Sequence, residues 1–120
     1  MDSLGRRVVA LTCASVIALI ASGRASAFTR QDLMLHMDDG VDLAATLYEP
    51  SGAPPPQGFP AIVMLHGIGG TRQELDPIAQ QWAQTFAVLT FDARGHGGSG
   101  GLVTVDGPRE IADTSWVRFS

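Results

Sequence analysis

Apolar and polar residues alternate along two neighbouring segments of the chain, residues 31–37 and 41–48. Period-two alternation is typical of strands with one buried face, and residues 38–40 (Asp-Asp-Gly) supply the chemistry of a tight turn between them. The pattern therefore predicts a β-hairpin. The proline-rich stretch that follows, residues 50–60, cannot pair inside a sheet, and we interpret it as a surface connection.

Two later segments, residues 61–65 and 87–91, are continuously apolar instead of alternating. Such runs are typical of strands buried on both faces of a parallel sheet. Between them, Asp76 and Pro77 have the form of an N-cap followed by proline at the first helical position. The apolar residues of one helical face follow: Ile78, Ala79, Trp82, Ala83 and Phe86. Strand, helix and strand predict a right-handed βαβ unit, and hence an α/β fold.

The remainder of the chain contains a glycine loop and one further helix. Residues 92–101 include five glycines, which forbid regular structure. A helix is predicted to begin at Pro108, but residues 113–120 are weak helix formers, and we expect the regular pattern to break there. A hairpin and one βαβ unit cannot cover both faces of a parallel sheet. We therefore expect an incomplete sheet of marginal stability.

The first 27 residues have the pattern of an export signal. Two arginines at residues 6–7 precede an apolar run over residues 8–21, and residues 25–27 (Ala-Ser-Ala) fit a cleavage site. The run is shorter than the roughly 20 residues that span a bilayer, which disfavours the alternative of an anchoring helix. We expect residues 1–27 to be a signal peptide and residues 28–120 to be secreted or periplasmic, with no stable membrane anchor.

Composition excludes several kinds of partner and cofactor. The single cysteine, Cys13, falls in the expected signal, so residues 28–120 hold no thiol or disulfide. The same residues carry eleven acidic side chains, five arginines and no lysine, which argues against nucleic acid as a partner. The histidines at 36, 66 and 96 lack zinc-site spacing, and the glycines that precede the first predicted helix, Gly69 and Gly70, do not belong to a phosphate-binding glycine motif. We therefore expect neither metal nor cofactor.

The most informative segment for chemistry follows the first apolar run. His66-Gly67-Ile68-Gly69-Gly70 is a glycine turn at a strand end, where backbone N–H groups can point at a ligand. Donors in such a place can stabilise the negative charge that develops during acyl transfer. The alternative is a tight strand exit with no catalytic role.

The order hairpin, strand, His-Gly turn, helix, strand and glycine loop resembles the amino-terminal part of the α/β-hydrolase fold. Within that superfamily, residues 92–101 (Asp-Ala-Arg-Gly-His-Gly-Gly-Ser-Gly-Gly) and 107–110 (Gly-Pro-Arg-Glu) most resemble the secreted acyl-esterase and X-prolyl dipeptidyl peptidase group. The resemblance covers roughly residues 31–113.

The resemblance implies roles for three residues. The backbone N–H of Ile68 corresponds to one oxyanion-hole donor, while His66 and Gly67 shape the turn. The second donor follows the nucleophile, and nucleophile, acid and base are all expected to be absent from these 120 residues. We expect His66 to be structural, with its ring bonded to nearby backbone, and not to act as the general base.

A second motif invites a different interpretation, because residues 97–101 satisfy the Gly-x-Ser-x-Gly pattern of a nucleophile elbow. An elbow serine stands between a strand and an immediate helix, whereas Ser99 lies in a glycine loop, which we expect to hold its hydroxyl poorly. For His96, three residues away, no fixed geometry with Ser99 is expected. Asp92 and Arg94 are expected to pair with each other or with the hairpin, or else to be solvated.

Three hypotheses follow. The first is an exported serine hydrolase that cleaves small ester, amide or peptide substrates through an acyl-enzyme, of which these residues are the amino-terminal piece. The second is an inactive truncated or frameshifted remnant. The third keeps the fold but uses an aspartate nucleophile or only binds ligands. By themselves the 120 residues are expected to be inactive.

Overall fold

The computed structural model describes residues 27–105 and 107–117, so the predicted signal peptide, apart from Ala27, lies outside the described residues. Four strands form one sheet in the order β1-β2-β4-β3. Their bounds are β1 Phe28–His36, β2 Asp42–Pro50, β3 Ala61–Leu65 and β4 Ala87–Phe91. The helical elements are a 3₁₀ turn, Arg72–Leu75, and the helices α1, Asp76–Trp82, and α2, Pro108–Trp116. None of the helices in this part of the chain has the length and apolar character needed to cross a membrane.

The predicted hairpin is confirmed and is longer than the alternation indicated. β1 pairs antiparallel with β2 along its whole length, from Phe28 opposite Pro50 to His36 opposite Asp42. Gly40 closes the turn with a φ of 83°, a conformation that favours glycine. The prediction for the proline-rich stretch is wrong at its first residue, because Pro50 ends β2 opposite Phe28 and is buried. Residues 51–60 run along the surface, as predicted.

The predicted βαβ unit is also present. β3 pairs parallel with β4, and β4 pairs antiparallel with β2 on its other side. All five residues of β4 are buried because neighbouring strands flank both of its edges. The parallel pair places the loops that follow β3 and β4 at the same edge of the sheet.

The prediction that the first apolar strand is buried on both faces is wrong. In β3, Val63 is 40% exposed and Leu65 is 46% exposed, while Ile62 and Met64, on the other face, are half-buried. The reason is position: β3 is the last strand of the described sheet, and no described element covers the face on which these side chains stand.

The helix α1 is shorter than predicted. It ends at Trp82, so Phe86 lies beyond it, in the approach to β4. Its buried face consists of the small side chains Ala79 and Ala83, whereas Ile78 and Trp82 are close to half exposed. Two alanines allow the helix to approach the sheet closely.

The core has two parts, one on each face of the sheet, because successive side chains of β2 and β4 point to opposite faces. One cluster comprises Met37, Leu43, Ala45, Leu89 and Phe91. The other comprises Tyr48, Ala79, Ala83 and Val88.

The helix α2 begins at Pro108, as predicted. The expectation that the regular pattern breaks at residue 113 is wrong for the residues that the structure describes. The helix continues to Trp116, whose indole N–H donates to the carbonyl of His36 (3.2 Å). Asp113, inside the expected break, is buried. Tertiary contacts here override weak helix propensity.

Candidate active site

Two loops meet at the carboxyl ends of the parallel strands β3 and β4. The turn of residues 66–70 follows β3, and the glycine loop of residues 92–101 follows β4. The rings of His66 and His96, one from each loop, have centroids 5.0 Å apart. This edge of a parallel sheet is where α/β folds bind ligands.

The turn after β3 has a defined geometry. Gly70 N–H donates to the carbonyl of Gly67 (3.0 Å), and Gly69 has a φ of 78°. A positive φ at the third of four residues is the mark of a type II β-turn, which explains the glycine at that position. Ile68 occupies the second position with its side chain 75% exposed.

The backbone N–H of Ile68 is the candidate oxyanion donor. Among the hydrogen bonds of the described residues, none uses this N–H as a donor. The group therefore stands at the edge of the sheet where the two loops meet, without an acceptor among the described residues.

Both nitrogens of the His66 ring are bonded to backbone, which confirms the expectation for this side chain. Nδ1 lies 2.7 Å from the carbonyl of Gly67, and Nε2 lies 2.9 Å from the amide nitrogen of Ala93. The ring is buried and has no nitrogen left to accept a proton from a nucleophile. His66 is thus unsuited to the role of general base.

The ring of His96 is also fixed by backbone. Its Nε2 accepts the N–H of Gly69 (3.1 Å), and its Nδ1 faces the carbonyl of Arg94 (3.1 Å). His96 and Ser99 contact each other through a backbone hydrogen bond, in which the Ser99 N–H donates to the carbonyl of His96 (2.9 Å).

The expectation that the glycine loop holds Ser99 poorly is wrong. Its hydroxyl donates to the carbonyl of Asp92 (2.6 Å) and accepts the N–H of Ala44 (2.9 Å). These partners are backbone groups of β2 and of the strand exit, and neither is a base. No helix follows Ser99 until Pro108, so an elbow's strand-to-helix context is missing.

Asp92 pairs with Arg72, a residue that the sequence pattern did not single out, and not with Arg94. It accepts the backbone N–H groups of Arg72 (2.6 Å) and Gly98 (2.9 Å) as well as the Arg72 guanidinium. Burial alone raises the pKa of Asp92, but these donors and the arginine charge outweigh burial and lower that pKa below its usual value. A Cβ at Gly97 would collide with the carboxylate.

Arg94 forms ion pairs with the hairpin, which was one of the predicted alternatives, and also with α2. Its guanidinium bonds Asp39 in the hairpin turn (2.8 Å) and grips both oxygens of Asp113 (2.7 and 2.9 Å). Arg94 is buried, so the predictions of solvation and of a bond to Asp92 are both wrong. No local pattern in the sequence identifies Asp113 as the partner.

A small cleft of about 70 Å³ lies between the two loops. Its apolar lining includes Leu65, Ile68, Val103 and Val105, and the carboxylate of Glu110 stands at its side. A larger cleft, of about 650 Å³, lies along the proline-rich stretch and includes no residue of either loop. Within the described ranges, no group of three or more His, Cys, Asp or Glu side chains is placed to hold a metal ion.

Comparison with known proteins agrees with this geometry. The family model of the X-Pro dipeptidyl-peptidases (S15 family) matches residues 39–117, which extends past the expected break at 113. No curated protein matches the chain.

Solved structures match as well. A hypothetical protein of Pseudomonas aeruginosa is 28% identical with a TM-score of 0.65, and the match covers 76% of this chain and 29% of that one. An esterase of Pyrococcus furiosus is 28% identical with a TM-score of 0.59, covering 73% and 34%. An α/β hydrolase of Sphaerobacter thermophilus is 29% identical with a TM-score of 0.52, covering 68% and 29%.

These neighbours confirm the predicted fold class, the amino-terminal part of an α/β-hydrolase sheet. The chain spans about a third or less of the length of the solved structures it matches.

Proposed function

The chain belongs to the X-Pro dipeptidyl-peptidase (S15) family of hydrolases, and on this premise we propose that it is the amino-terminal part of an exported serine hydrolase. That enzyme cleaves ester or amide bonds through an acyl-enzyme. In this proposal the described residues supply one half of the oxyanion hole. The nucleophile, acid and base belong to the longer protein, in agreement with the length of the solved neighbours.

The observation that carries the proposal is the N–H of Ile68. It lies beyond the carboxyl end of β3 in a type II turn and has no acceptor among the described residues. In acyl transfer, negative charge develops on the carbonyl oxygen of the substrate, and a preorganised N–H at that point stabilises the transition state. The exposed Ile68 side chain plays no part in that stabilisation.

The substrate class follows from the family and the site. Hydrolases of this family act on small ester or peptide substrates, and the matched Pyrococcus furiosus protein is an esterase. In this chain the small apolar cleft beside Ile68 suits the acyl portion of such a substrate. The signal-like pattern of residues 1–27 supports export, and with it the proposal of a periplasmic or secreted enzyme.

The test uses the longest open reading frame that begins with this chain. Ile68→Pro removes the backbone donor, and proline suits the second position of a type II turn, so the turn itself is preserved. Ile68→Ala keeps the N–H and is the matched control. We expect Ile68→Pro to lower kcat for p-nitrophenyl acetate by about 10²- to 10³-fold, the usual cost of losing an oxyanion donor, and Ile68→Ala to change it little.

Two results would contradict the proposal. Equal kcat for the proline and alanine variants would remove Ile68 from the oxyanion hole. A wild-type protein that neither hydrolyses the ester nor reacts with a fluorophosphonate probe would favour the inactive remnant, or a fold with an aspartate nucleophile or a binding role.

A further inference from the structure

The two histidine rings at the site, of which His66 is buried and His96 is half-buried, bond each other's loops in a reciprocal pattern. His66, in the turn after β3, accepts the N–H of Ala93 in the glycine loop, while His96, in the glycine loop, accepts the N–H of Gly69 in the turn. We propose that these rings form a two-histidine clasp that positions the Ile68 N–H, and that the clasp closes only while both rings are neutral. The positioning role rests on the proposed function of Ile68.

The partners of each ring determine its tautomer. Carbonyl oxygens only accept, so the nitrogens that face Gly67 and Arg94, Nδ1 in both rings, must carry the hydrogen. Backbone N–H groups only donate, so the nitrogens that face Ala93 and Gly69, Nε2 in both rings, must be unprotonated. His66 and His96 therefore share one neutral tautomer, protonated at Nδ1.

The geometry of the peptide bond connects His66 to the oxyanion donor. The carbonyl of Gly67 and the N–H of Ile68 belong to the same planar trans peptide unit and point in opposite directions. A bond from His66 Nδ1 to that carbonyl therefore fixes the direction of the Ile68 N–H. On the other side of Ile68, His96 holds the next N–H, that of Gly69.

Acid should open the clasp. A protonated imidazole carries a hydrogen on Nε2, which would then face another N–H, and the bond would be lost. Glu110 of α2 is the charged side chain that lines the cleft with both rings, and its carboxylate is occupied by Thr104. The other charged groups near the rings are Asp92 and Arg94 of the glycine loop and Arg72 of the 3₁₀ turn, and all three are held in ion pairs.

The first measurement is the ring tautomer in the ¹⁵N-labelled protein made from the longest open reading frame that begins with this chain, by long-range ¹⁵N–¹H correlation near neutral pH. We expect His66 and His96 to show a protonated Nδ1 and an unprotonated Nε2. Exposed His36 is the internal reference for a ring outside the clasp. An Nε2–H tautomer or a charged ring at either clasp position would overturn the proposal, whether or not any variant folds.

The second measurement is amide exchange. His96→Ala should speed exchange at Gly69 about five- to tenfold, the effect of losing one hydrogen bond. His96→Gln, whose side-chain oxygen can accept the same N–H, should restore slow exchange, and His36→Ala should leave Gly69 unchanged. Acid that protonates both rings, as followed in the ¹⁵N spectra, should release Gly69 and Ala93 together, after correction for intrinsic exchange. Unchanged exchange at Gly69 in His96→Ala would refute the clasp.

The positioning role has its own readout in the longer reading frame. His66→Ala should lower kcat much more than it changes KM, because the donor is misdirected while the apolar side chains that line the cleft remain. A fall in kcat/KM caused only by a higher KM would contradict positioning. If the wild-type enzyme is inactive, the proposed function fails, but the tautomer and exchange measurements still decide whether the clasp exists.

Discussion

The three histidines of the described chain show that side-chain role depends on position. His36 is exposed at the hairpin end and contacts Asp42. His66 and His96 are held by backbone at both ring nitrogens. The even spacing of these residues in the sequence does not reveal these roles. Two of the histidines hold backbone groups in place only because the two loops lie close together in the fold.

Ser99 is the residue at which motif and structure disagree most, and its replacement is informative. We expect Ser99→Ala to destabilise the fold by about 1–3 kcal/mol, because the N–H of Ala44 loses its acceptor in a part-buried place. Urea denaturation measures the change, and Ser115→Ala on the exposed face of α2 is the control.

The same variant tests the elbow interpretation. In the longer reading frame, Ser99→Ala should keep kcat within about twofold, since the serine bonds backbone and not a base. A folded Ser99→Ala enzyme without activity would instead identify Ser99 as the nucleophile.

Because of Asp92, we expect the free energy of unfolding to fall as the pH becomes acidic. Its pKa in the folded chain lies below the ordinary value of 3.8, so its contribution is fully present above that value and is lost as the pH falls through the folded pKa. Urea midpoints measured from about pH 6 to pH 2.5 should fall more steeply for the wild type than for Asp92→Asn. Parallel curves would show that Asp92 does not carry this dependence.

At the scale of elements, α2 is attached to the sheet mainly through charge and hydrogen bonds. Arg94 connects three elements, since it lies after β4, bonds Asp39 in the hairpin turn and grips Asp113 in α2. The exposed residues Ile111 and Trp116 show that little apolar burial supports this helix in the described chain.

Removing this arginine should therefore release α2. We expect Arg94→Leu to speed amide exchange throughout Pro108–Trp116 and to cost about 3 kcal/mol of stability, because Asp113 is left buried without its partner. Arg109→Gln, which breaks more exposed pairs with Asp38 and Asp39 but keeps the bonds of Arg94 to Asp113, is the control and should change α2 little. A helix that stays protected in Arg94→Leu would show that apolar contacts hold it.

For the whole molecule, the exposed apolar surface is the main feature. Four large apolar residues are exposed to solvent on the side of β3 and of the two loops: Val63, Leu65, Ile68 and Leu102. The solved neighbours are more than twice as long as this chain, so the proposed enzyme has further structure available to cover such a surface. Apolar groups left in water contribute nothing to folding.

The isolated 120-residue chain should accordingly unfold with little cooperativity and should not hydrolyse esters. Scanning calorimetry and a p-nitrophenyl acetate assay test both expectations, with the longer reading frame as the comparison. A sharp transition at high temperature, or turnover by the isolated chain, would contradict them.

The sequence alone determined the features that depend on near neighbours. The hairpin, the strand at residues 61–65, the second strand at 87–91 and the start of α2 at Pro108 follow from periodicity and turn chemistry, which act over a few residues. The glycine turn around Ile68 was identified for the same reason, because Gly69 supplies a local positive φ.

Only the tertiary structure decided which groups meet. Asp92 bonds Arg72, which lies 20 positions away in the sequence. Arg94 bonds Asp39 and Ser99 bonds Ala44, each pair at a separation of 55 positions. Burial of a strand likewise depends on its place in the sheet, so equally apolar runs became the exposed edge β3 and the buried centre β4. Hydrogen-bond partners and burial are set by the packing of distant segments, which no local pattern encodes.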